Sequence, residues 1–313
     1  MITKSQKSKL KSSNFAQRLR WARQKYVYVI VLIISVVLVG ELFRELRSSF
    51  FFKSRDRINV FFYGQNTLFY SVSLKKDIDY VVSYPSDLKV LVPGGFGYYR
   101  LGGLGKLVDL EHKQSLYRRT FSVISSTTAD FYFYPAKVEV YYDNAKDKRS
   151  FVPGLTRFFF NKSNANFLER AYLYYTFINK PVKQFRQLES LPVKQVDGDK
   201  ALDEERFSQL SMGNFYEKRL RSEKANVQIL YTKSEKNAYL ISLPIEGQGI
   251  KVVDLSYTSS EGEKCQVIEA VGSNLKSAEF ISEAFHCPII RQPVEGYDII
   301  FKLGSLEKDW SRE

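Results

Sequence analysis

The first half of the chain alternates between apolar and polar residues over several short stretches, and this period of two predicts β-strands. The stretches are rich in Val, Phe and Tyr, which are frequent in sheets. The predicted strands cover residues 58–63, 67–74, 79–84, 89–92, 130–134 and 138–142. Apolar residues recur at helical spacing over 104–126 and about 164–177, which predicts a helix that crosses over the sheet and a second helix after it. This order of elements predicts a mixed α/β sheet domain.

The second half is predicted to contain a linker followed by a small domain. Residues 179–203 combine two prolines, a glycine and mixed charges, as surface linkers do, and 203–223 have the pattern of a connecting helix. Pro244 is expected to prevent one long helix over 234–247. The remaining predicted elements are strands at 227–231, 250–255, 266–270 and 297–303 and a helix at 274–285. This βαββαβ order is typical of a compact two-layer α+β domain.

A continuous apolar stretch near the N-terminus predicts a membrane anchor. Residues 26–40 contain no charge, and Leu42 and Phe43 extend the apolar run past Glu41. A bilayer core needs about 20 residues, with about 17 as the lower limit, so a transmembrane helix over 26–43 is long enough when charged residues at its ends reach the interface. The long leader without an Ala-x-Ala cleavage site argues against a signal peptide, and the absence of a polar face argues against a soluble helix.

The distribution of charge predicts the orientation of this helix and argues against a nucleic-acid partner. Residues 1–25 form a basic tail with eight Lys or Arg and no acidic residue, so the positive-inside rule places this tail in the cytoplasm and most of the chain outside. The formal net charge is +13, of which residues 1–57 hold +10 (13 basic minus 3 acidic) and residues 58–313 hold +3 (34 minus 31). Residues 44–57 are a juxtamembrane linker. The nearly neutral body is not expected to bind nucleic acid.

The scarcity of His and Cys excludes several common enzyme classes. Two His and two Cys cannot form a four-ligand zinc site with ordinary spacing, and neither His112 nor His286 lies in a nucleophile motif. Cys265 and Cys287 flank the last predicted helix at a separation of 22 residues. Outside the cytoplasm a disulfide bond between them is chemically reasonable, and two small buried apolar side chains are the alternative. Both interpretations stay open.

Candidate anion ligands occur in the glycine-rich segment 84–106. Its glycines could present backbone N–H groups to an anion, with Arg100 or Lys106 adding charge, or they could form tight turns between a strand and a helix. A Walker-type phosphate loop is absent because no Ser or Thr follows Lys106. On the crossover helix, Arg118 and Arg119 form either a solvated face or an anion clamp.

The same segment resembles the LytR–CpsA–Psr family. The family's signature runs from a strand through Ile-Pro-Arg-Asp to Pro-Gly and Lys-Leu-Asn, and residues 83–87, 92–94 and 100–102 occupy the corresponding places. The stretch 58–64 is similar to the family's first strand. Residues 298–304, Asp-Ile-Ile-Phe-Lys-Leu-Gly, are similar to the closing pattern of the separate LytR-type domain that often follows.

This resemblance implies one N-terminal anchor and a domain outside the cell. Active members transfer a phosphoglycosyl polymer from a polyprenyl-pyrophosphate carrier to peptidoglycan, with arginines that hold the pyrophosphate and aspartates that bind Mg²⁺. Here Ser86 replaces the Arg of Pro-Arg-Asp, and Gln65 and Asn66 stand where the family has an aspartate after its first strand. Of the family's pocket, Asp87 and Arg100 carry over.

The sequence therefore predicts a membrane-anchored cell-envelope protein with a degenerate LytR–CpsA–Psr-like domain at 58–178, a linker and connecting helix at 179–223, and a LytR-type C-terminal domain at 224–305. We expect it to bind a polyprenyl-phosphate lipid, a glycopolymer, peptidoglycan or a protein partner without catalysis, cofactor or metal. The alternatives are a scaffold that acts through the C-terminal domain and a divergent transferase that uses Mg²⁺. The predicted binding residues, which a transferase would have to bring together in one cavity, are Asp87, Arg100, Arg118 and Arg119.

Overall fold

The computed structural model divides the chain into two compact units, residues 1–53 and 54–313. The described residues are 30–37, 39–41, 43, 55–75, 77–137, 139–142, 153–188, 190–259 and 264–312. In the first unit the described residues are helical, and their side chains are exposed. None of the described helices is both long and apolar enough to cross a membrane. The predicted basic tail 1–25, and parts of the predicted helix 26–43 and linker 44–57, lie outside the described residues.

The second unit alternates strands and helices along its described length. The strands are β1 (Arg57–Phe62), β2 (Asn66–Ser73), β3 (Asp79–Pro85), β4 (Lys89–Val92), β5 (Gly97–Arg100), β6 (Phe131–Tyr134), β7 (Lys162–Ser163), β8 (Phe185–Gln187), β9 (Val193–Val196), β10 (Asp199–Leu202), β11 (Asn226–Tyr231), β12 (Lys251–Tyr257), β13 (Gln266–Glu269), β14 (Ile289–Arg291) and β15 (Ile299–Lys302). The α-helices are α1 (Leu104–Glu111), α2 (Ser115–Ser125), α3 (Leu155–Phe159), α4 (Phe167–Ile178), α5 (Glu204–Ser211), α6 (Lys218–Glu223), α7 (Glu235–Gly247), α8 (Lys276–Phe285) and α9 (Leu306–Asp309). Short 3-10 helices cover Leu101–Gly103 and Val182–Gln184.

Three sheets organise this unit. The first has the order β7-β6-β1-β2-β3-β8, in which β1, β2 and β3 are antiparallel neighbours while β6 and β8 run parallel to β1 and β3. The second has the order β5-β4-β10-β9. The third has the order β12-β11-β15-β13-β14, with β11 parallel to both of its neighbours. The unit is therefore mixed α/β, and this part of the predicted fold class is confirmed.

Aromatic side chains fill both faces of the six-stranded sheet, because neighbouring residues of a strand point to opposite faces. On one face, the Phe61 ring stacks on Phe69 at 4.6 Å and on Phe121 of α2 at 4.5 Å. On the other face, the Phe62 ring lies 5.2 Å from Phe158 of α3 and 6.2 Å from Phe177 of α4. Helices α2 and α4 thus cover opposite faces of this sheet.

The core beneath the five-stranded sheet continues into the second sheet. Ile229 of β11, Phe301 of β15 and Ile241 of α7 are fully buried in it. Leu91 of β4 and Val123 of α2 belong to the same cluster of buried side chains. The C-terminal sheet therefore packs directly on the elements that flank the glycine-rich segment.

Two predicted helices are each interrupted in the structure. The helix predicted over 104–126 is divided into α1 and α2, because His112 adopts a left-handed backbone with φ of 52° and ends α1. The connecting helix predicted over 203–223 is divided into α5 and α6, with Gly213 at φ of 81° between them. When the apolar residues on both sides of such a break keep helical spacing, the sequence pattern predicts one continuous helix.

The segment 179–203, predicted as a surface linker, contains strands β8, β9 and β10. Strands β9 and β10 form a hairpin that turns at Asp197 and Gly198, whose φ values of 51° and 80° suit a two-residue hairpin turn. Ala201 of β10 pairs with Lys89 of β4. Such short strands form because a neighbouring sheet offers an edge to pair with, and local composition does not show that edge.

The C-terminal sheet differs from the predicted βαββαβ order in one strand and one helix. Strand β14 adds a fifth strand, which runs parallel to β13. Pro244 lies inside α7 and does not end it. Its missing N–H removes one backbone hydrogen bond, and the burial of Leu243, Pro244 and Ile245 offsets that loss.

The strand predicted at 138–142 is not formed over the described residues 139–142. The Tyr141 N–H instead donates to the Gly102 carbonyl at 3.1 Å, and the Tyr141 ring lies 5.9 Å from that of Tyr63. A Cβ on Gly102 would lie 2.1 Å from the Tyr141 carbonyl oxygen, so this position requires glycine. The aromatic residues that predicted a strand here pack over the glycine-rich segment.

A disulfide bond joins Cys265 and Cys287, whose Cα atoms lie 5.3 Å apart. It links the residue before β13 to the segment between α8 and β14. Of the two interpretations of these cysteines, the structure contains the disulfide. Closing a loop with a sequence separation of 22 residues stabilises the fold by about 3 kcal/mol in the chain-entropy picture.

Candidate functional site

The glycine-rich segment is held by hydrogen bonds within the chain. The N–H groups of Gly94 and Gly95, at φ of 99° and 86°, both donate to the Ser311 carbonyl, at 2.8 and 3.1 Å. The Gly105 N–H donates to the Tyr63 hydroxyl at 2.9 Å. These three amides therefore serve turns and packing, and the tight-turn interpretation describes them better than an anion-binding loop.

Asp87 and Arg100, the residues carried over from the family resemblance, lie at the protein surface. Asp87 is exposed in the turn between β3 and β4. Arg100 ends β5, and its Nη2 lies 3.4 Å from Oδ2 of Asp199. The Nζ of Lys89 lies 3.1 Å from the same carboxylate oxygen. Arg100 therefore belongs to an exposed group of ion pairs, a kind that stabilises proteins little.

Arg119 is buried on α2 and is bound to the C-terminal helix α9. Its Nη2 donates to the Ser115 hydroxyl at 2.9 Å, and its Nη1 lies 3.2 Å from Oδ1 of Asp309 and donates to the Asp309 carbonyl. Burial lowers the pKa of Arg119, and Asp309 opposes this effect. Arg119 is thus an internal ion-pair partner and does not form part of a solvated face.

Arg118, the neighbouring residue on α2, is partly buried and has a different environment. Its Nη1 lies 3.3 Å from Nε2 of His286, the residue that follows α8. Within the described part of the chain, no carboxylate oxygen lies within the 4.0 Å distance of an ion pair with its guanidinium. Burial lowers the pKa of Arg118, and Asp130 is the main group that opposes the effect. Arg118 therefore has no carboxylate in direct contact among the described residues, and Asp130 and Glu283 act on its charge from a greater distance.

A cavity of about 280 Å³ lies beside both arginines, and we call it the junction cavity. Besides Arg118 and Arg119, its walls include Ser122, Thr128, Pro244, Phe285, His286 and Trp310. Neither Asp87 nor Arg100 lines it. The structure thus brings together two of the four predicted binding residues, and the other two lie outside this cavity.

A second cavity, of about 500 Å³, shares Arg119 and Asp309 with the junction cavity. Lys113, Lys233 and Lys308 line it, and all three are exposed. This basic cleft adds positive potential beside the junction cavity, although its lysines lie at the surface and are well hydrated.

The residues present do not fit the Mg²⁺ that the transferase alternative needs. Among the described residues, no group of three or more His, Cys, Asp or Glu side chains could hold a metal ion. Asp87 is exposed in its turn. Gln65 precedes β2 and Asn66 is its first residue, and the family resemblance places an aspartate in this region. Magnesium at such sites is usually held by one or two carboxylates together with substrate phosphates and water. At the positions where the family resemblance places the Mg²⁺ ligands, the described residues offer a single exposed carboxylate, that of Asp87.

Several residues of the junction cavity were not predicted from the sequence. His286, Phe285 and Trp310 come from the C-terminal part of the chain, and only the packing of α8 and α9 on α2 brings them to the arginines. One signal was present in the sequence. Ser115 and Ser122 lie three to four positions from the two arginines, which puts a polar stripe on one face of α2.

The comparisons with known proteins give distant structural similarity. No protein-family model matches the sequence, and no curated protein matches it. B. subtilis TagT is 13% identical, with a TM-score of 0.35, over 52% of this chain and 91% of that chain. TagT with bound octaprenyl pyrophosphate lipid is 11% identical, with a TM-score of 0.35, over 52% of this chain and 90% of that chain. A protein from Enterococcus faecalis described as a transcriptional regulator is 8% identical, with a TM-score of 0.36, over 64% of this chain and 91% of that chain.

Solved structures similar to this chain thus include LytR-CPS2A-Psr family proteins. The similarity is partial, since it covers about half of this chain at low identity.

Proposed function

We propose that this chain is a membrane-anchored, extracytoplasmic cell-envelope protein, related to the LytR–CpsA–Psr glycopolymer transferases, that binds an envelope component without transferring it. The sequence motifs at 83–87, 92–94 and 298–304 support the relationship. In this account residues 58–178 are a degenerate family domain, and 224–305 are the LytR-type domain that follows it.

The observation that carries the proposal is the separation of the predicted binding residues. Arg118 and Arg119 line the junction cavity, whereas Asp87 and Arg100 do not. A transferred pyrophosphate needs several cations or a metal ion to converge on it, because charge that develops during transfer must be stabilised at short distance. Asp309 pairs with Arg119, whereas no carboxylate of the described residues lies at ion-pair distance from Arg118. One arginine is adequate for binding an anion and inadequate for pyrophosphate transfer.

Binding is favoured over pure scaffolding because the junction cavity offers open space beside Arg118, an arginine without a carboxylate in direct contact among the described residues. Burying a guanidinium without a carboxylate partner costs free energy, and a protein keeps such a group when a ligand completes it. The partly buried Arg118 beside about 280 Å³ of open space meets this description. A scaffold would not need such a cavity.

The membrane anchor in this proposal rests on the sequence. Residues 26–40 are uncharged, and the basic residues of 1–25 precede them, which favours a helix with its N-terminus in the cytoplasm. Extraction of cell membranes with alkaline carbonate tests this step. An anchored chain stays in the pellet, and release of the full chain into the supernatant would contradict the anchor.

The binding proposal is tested with farnesyl pyrophosphate, a short polyprenyl pyrophosphate, titrated calorimetrically into the full chain in detergent with and without Mg²⁺. We expect saturable binding that does not require Mg²⁺, because no group of three or more metal-ligating side chains is found among the described residues. We also expect Arg100→Ala to behave like the unchanged chain, because Arg100 pairs with Asp199 at the surface. Saturable binding that requires Mg²⁺ and is lost in Arg100→Ala would contradict the proposal and favour the transferase.

A further inference from the structure

We propose that the junction cavity binds a single carboxylate attached to a small apolar group, such as the free C-terminus of a short peptide of small residues. This inference rests on the proposed ligand-binding function and names the chemistry of the ligand. It follows from one face of α2, from the balance of charge in the cavity, and from two buried hydroxyl groups.

One face of α2 supplies the polar wall of the cavity. Ser115, Arg118, Arg119 and Ser122 stand at positions i, i+3, i+4 and i+7 of the helix, so their side chains share one side. All four line the cavity. Phe121 of the same helix stacks on Phe61 of the six-stranded sheet and fixes the rotation of the helix. The polar stripe is therefore held toward the cavity by the aromatic core.

The charges that line the cavity sum to about one positive charge. Asp309 neutralises Arg119, with 3.2 Å between Oδ1 and Nη1. The Nη1 of Arg118 lies 3.3 Å from Nε2 of His286, and no carboxylate of the described residues lies at ion-pair distance from this guanidinium. Arg118 then provides the net charge. The planar guanidinium of Arg118 carries one positive charge and can donate two parallel N–H···O bonds to a carboxylate. Its charge matches that of a carboxylate better than that of a phosphate dianion.

Two hydroxyl groups in the cavity have hydrogens left to donate. Ser122 Oγ accepts from the Ala129 N–H at 3.0 Å, and Thr128 Oγ1 accepts from Nε2 of Gln248 at 2.6 Å. Neither hydroxyl donates to another residue in the described part of the chain, and each residue is 4% exposed. A hydroxyl that accepts one bond still carries its own O–H, so both present buried donors to a ligand anion.

The rest of the wall is apolar. Pro244, Ala284, Phe285, Leu306 and Trp310 contribute the apolar surface. The volume of about 280 Å³ lies just below the roughly 300–1,000 Å³ usual for small-molecule sites, so the group that carries the carboxylate is small. A short peptide end with small side chains meets both conditions, while a sugar acid would bring hydroxyl groups against the apolar wall.

The experiment compares N-acetyl-dialanine with its C-terminal amide by calorimetric titration into the full chain in detergent. The two ligands differ only at the C-terminal group, which is a charged carboxylate in one and a neutral carboxamide in the other. We expect saturable binding of the acid and at least tenfold weaker binding of the amide, because the amide cannot neutralise Arg118. Equal affinity for acid and amide, or no saturable binding of the acid, would overturn the inference, and this comparison requires no variant protein.

Variants then assign the interaction to Arg118. Arg118→Gln should raise the dissociation constant of the acid at least tenfold, while Arg100→Gln, which removes the same charge from an exposed ion pair, should leave it unchanged. An equal loss in both variants would show general electrostatic attraction and overturn the inference. Preference for glucuronate or methyl phosphate over the peptide acid would also overturn it. If these tests fail and pyrophosphate binding does not depend on Mg²⁺, the inference about the ligand is wrong. The proposal that the chain binds without catalysis is then unaffected.

Discussion

Replacing Glu307 with Ala is expected to lower the free energy of unfolding by about 4 kcal/mol, because a fully buried carboxylate would be removed from its hydrogen-bond donors. Glu307 lies in α9 and is 0% exposed. Its oxygens accept from the N–H groups of Thr232, Lys233 and Ser234 at 2.9, 2.9 and 2.6 Å. These donors directly precede α7, where a negative charge also favours the helix dipole. The substitution would leave three backbone donors without their acceptor.

Urea unfolding followed by circular dichroism measures this change. Glu307→Gln keeps the shape but presents an NH₂ group to some of the donors, so its loss should be smaller than that of Glu307→Ala. Glu295→Ala is the matched control, because Glu295 is exposed in a loop of the same C-terminal part, and it should leave the midpoint almost unchanged. A change below about 1 kcal/mol for Glu307→Ala would show that water replaces the carboxylate without cost.

The second large effect is expected for Asp130→Ala, with a loss of roughly 3–5 kcal/mol. The side chains of Asp130 and Arg55 are 6% and 8% exposed, and Oδ1 of Asp130 lies 2.7 Å from Nη1 of Arg55. The other oxygen accepts from the Asn59 N–H at 2.9 Å. Burial raises the pKa of Asp130, and Arg55 opposes that effect. Removing the carboxylate takes away the shortest of the described ion pairs of Arg55 and leaves Glu217 at 3.4 Å and Glu283 at 3.8 Å, which weakens the balance of charge in this buried site.

Asp199→Ala serves as the control for this prediction, since it also removes an aspartate that pairs with arginine. The Asp199 and Arg100 side chains are 40% and 57% exposed, and water screens their attraction. The same unfolding measurement should therefore show a much smaller change for Asp199→Ala. Equal losses in the two variants would mean that burial does not determine the strength of these ion pairs.

The sequence predicted the strands whose pattern is strong and whose partners are near in the chain. Strands β1 and β3 match the predicted stretches 58–63 and 79–84 to within a residue, because their β-branched and aromatic residues mark them locally. Strands β8 and β14 are three residues long and pair with strands of other segments. Their formation depends on a partner edge that no local pattern encodes.

The sequence predicted some residues of the candidate site and missed the others. The sequence identified Arg118 and Arg119 as a basic pair on a helix, and the structure shows that they differ because one faces Asp309 and the other faces His286. Asp309 and Glu307 are acidic residues of a short C-terminal helix, and in the sequence they resemble any exposed charge. Their roles arise from the fold, which places the last residues of the chain against α2 and the start of α7.

A transfer assay distinguishes binding from transfer by this chain. The full chain in detergent is incubated with Mg²⁺, isolated peptidoglycan and a radiolabelled glycopolymer on a polyprenyl-pyrophosphate carrier. We expect the peptidoglycan to gain no more label than in a blank without protein. Label that depends on the protein would show transfer and contradict the proposal, and its loss in Arg100→Ala would place Arg100 in a working transfer site.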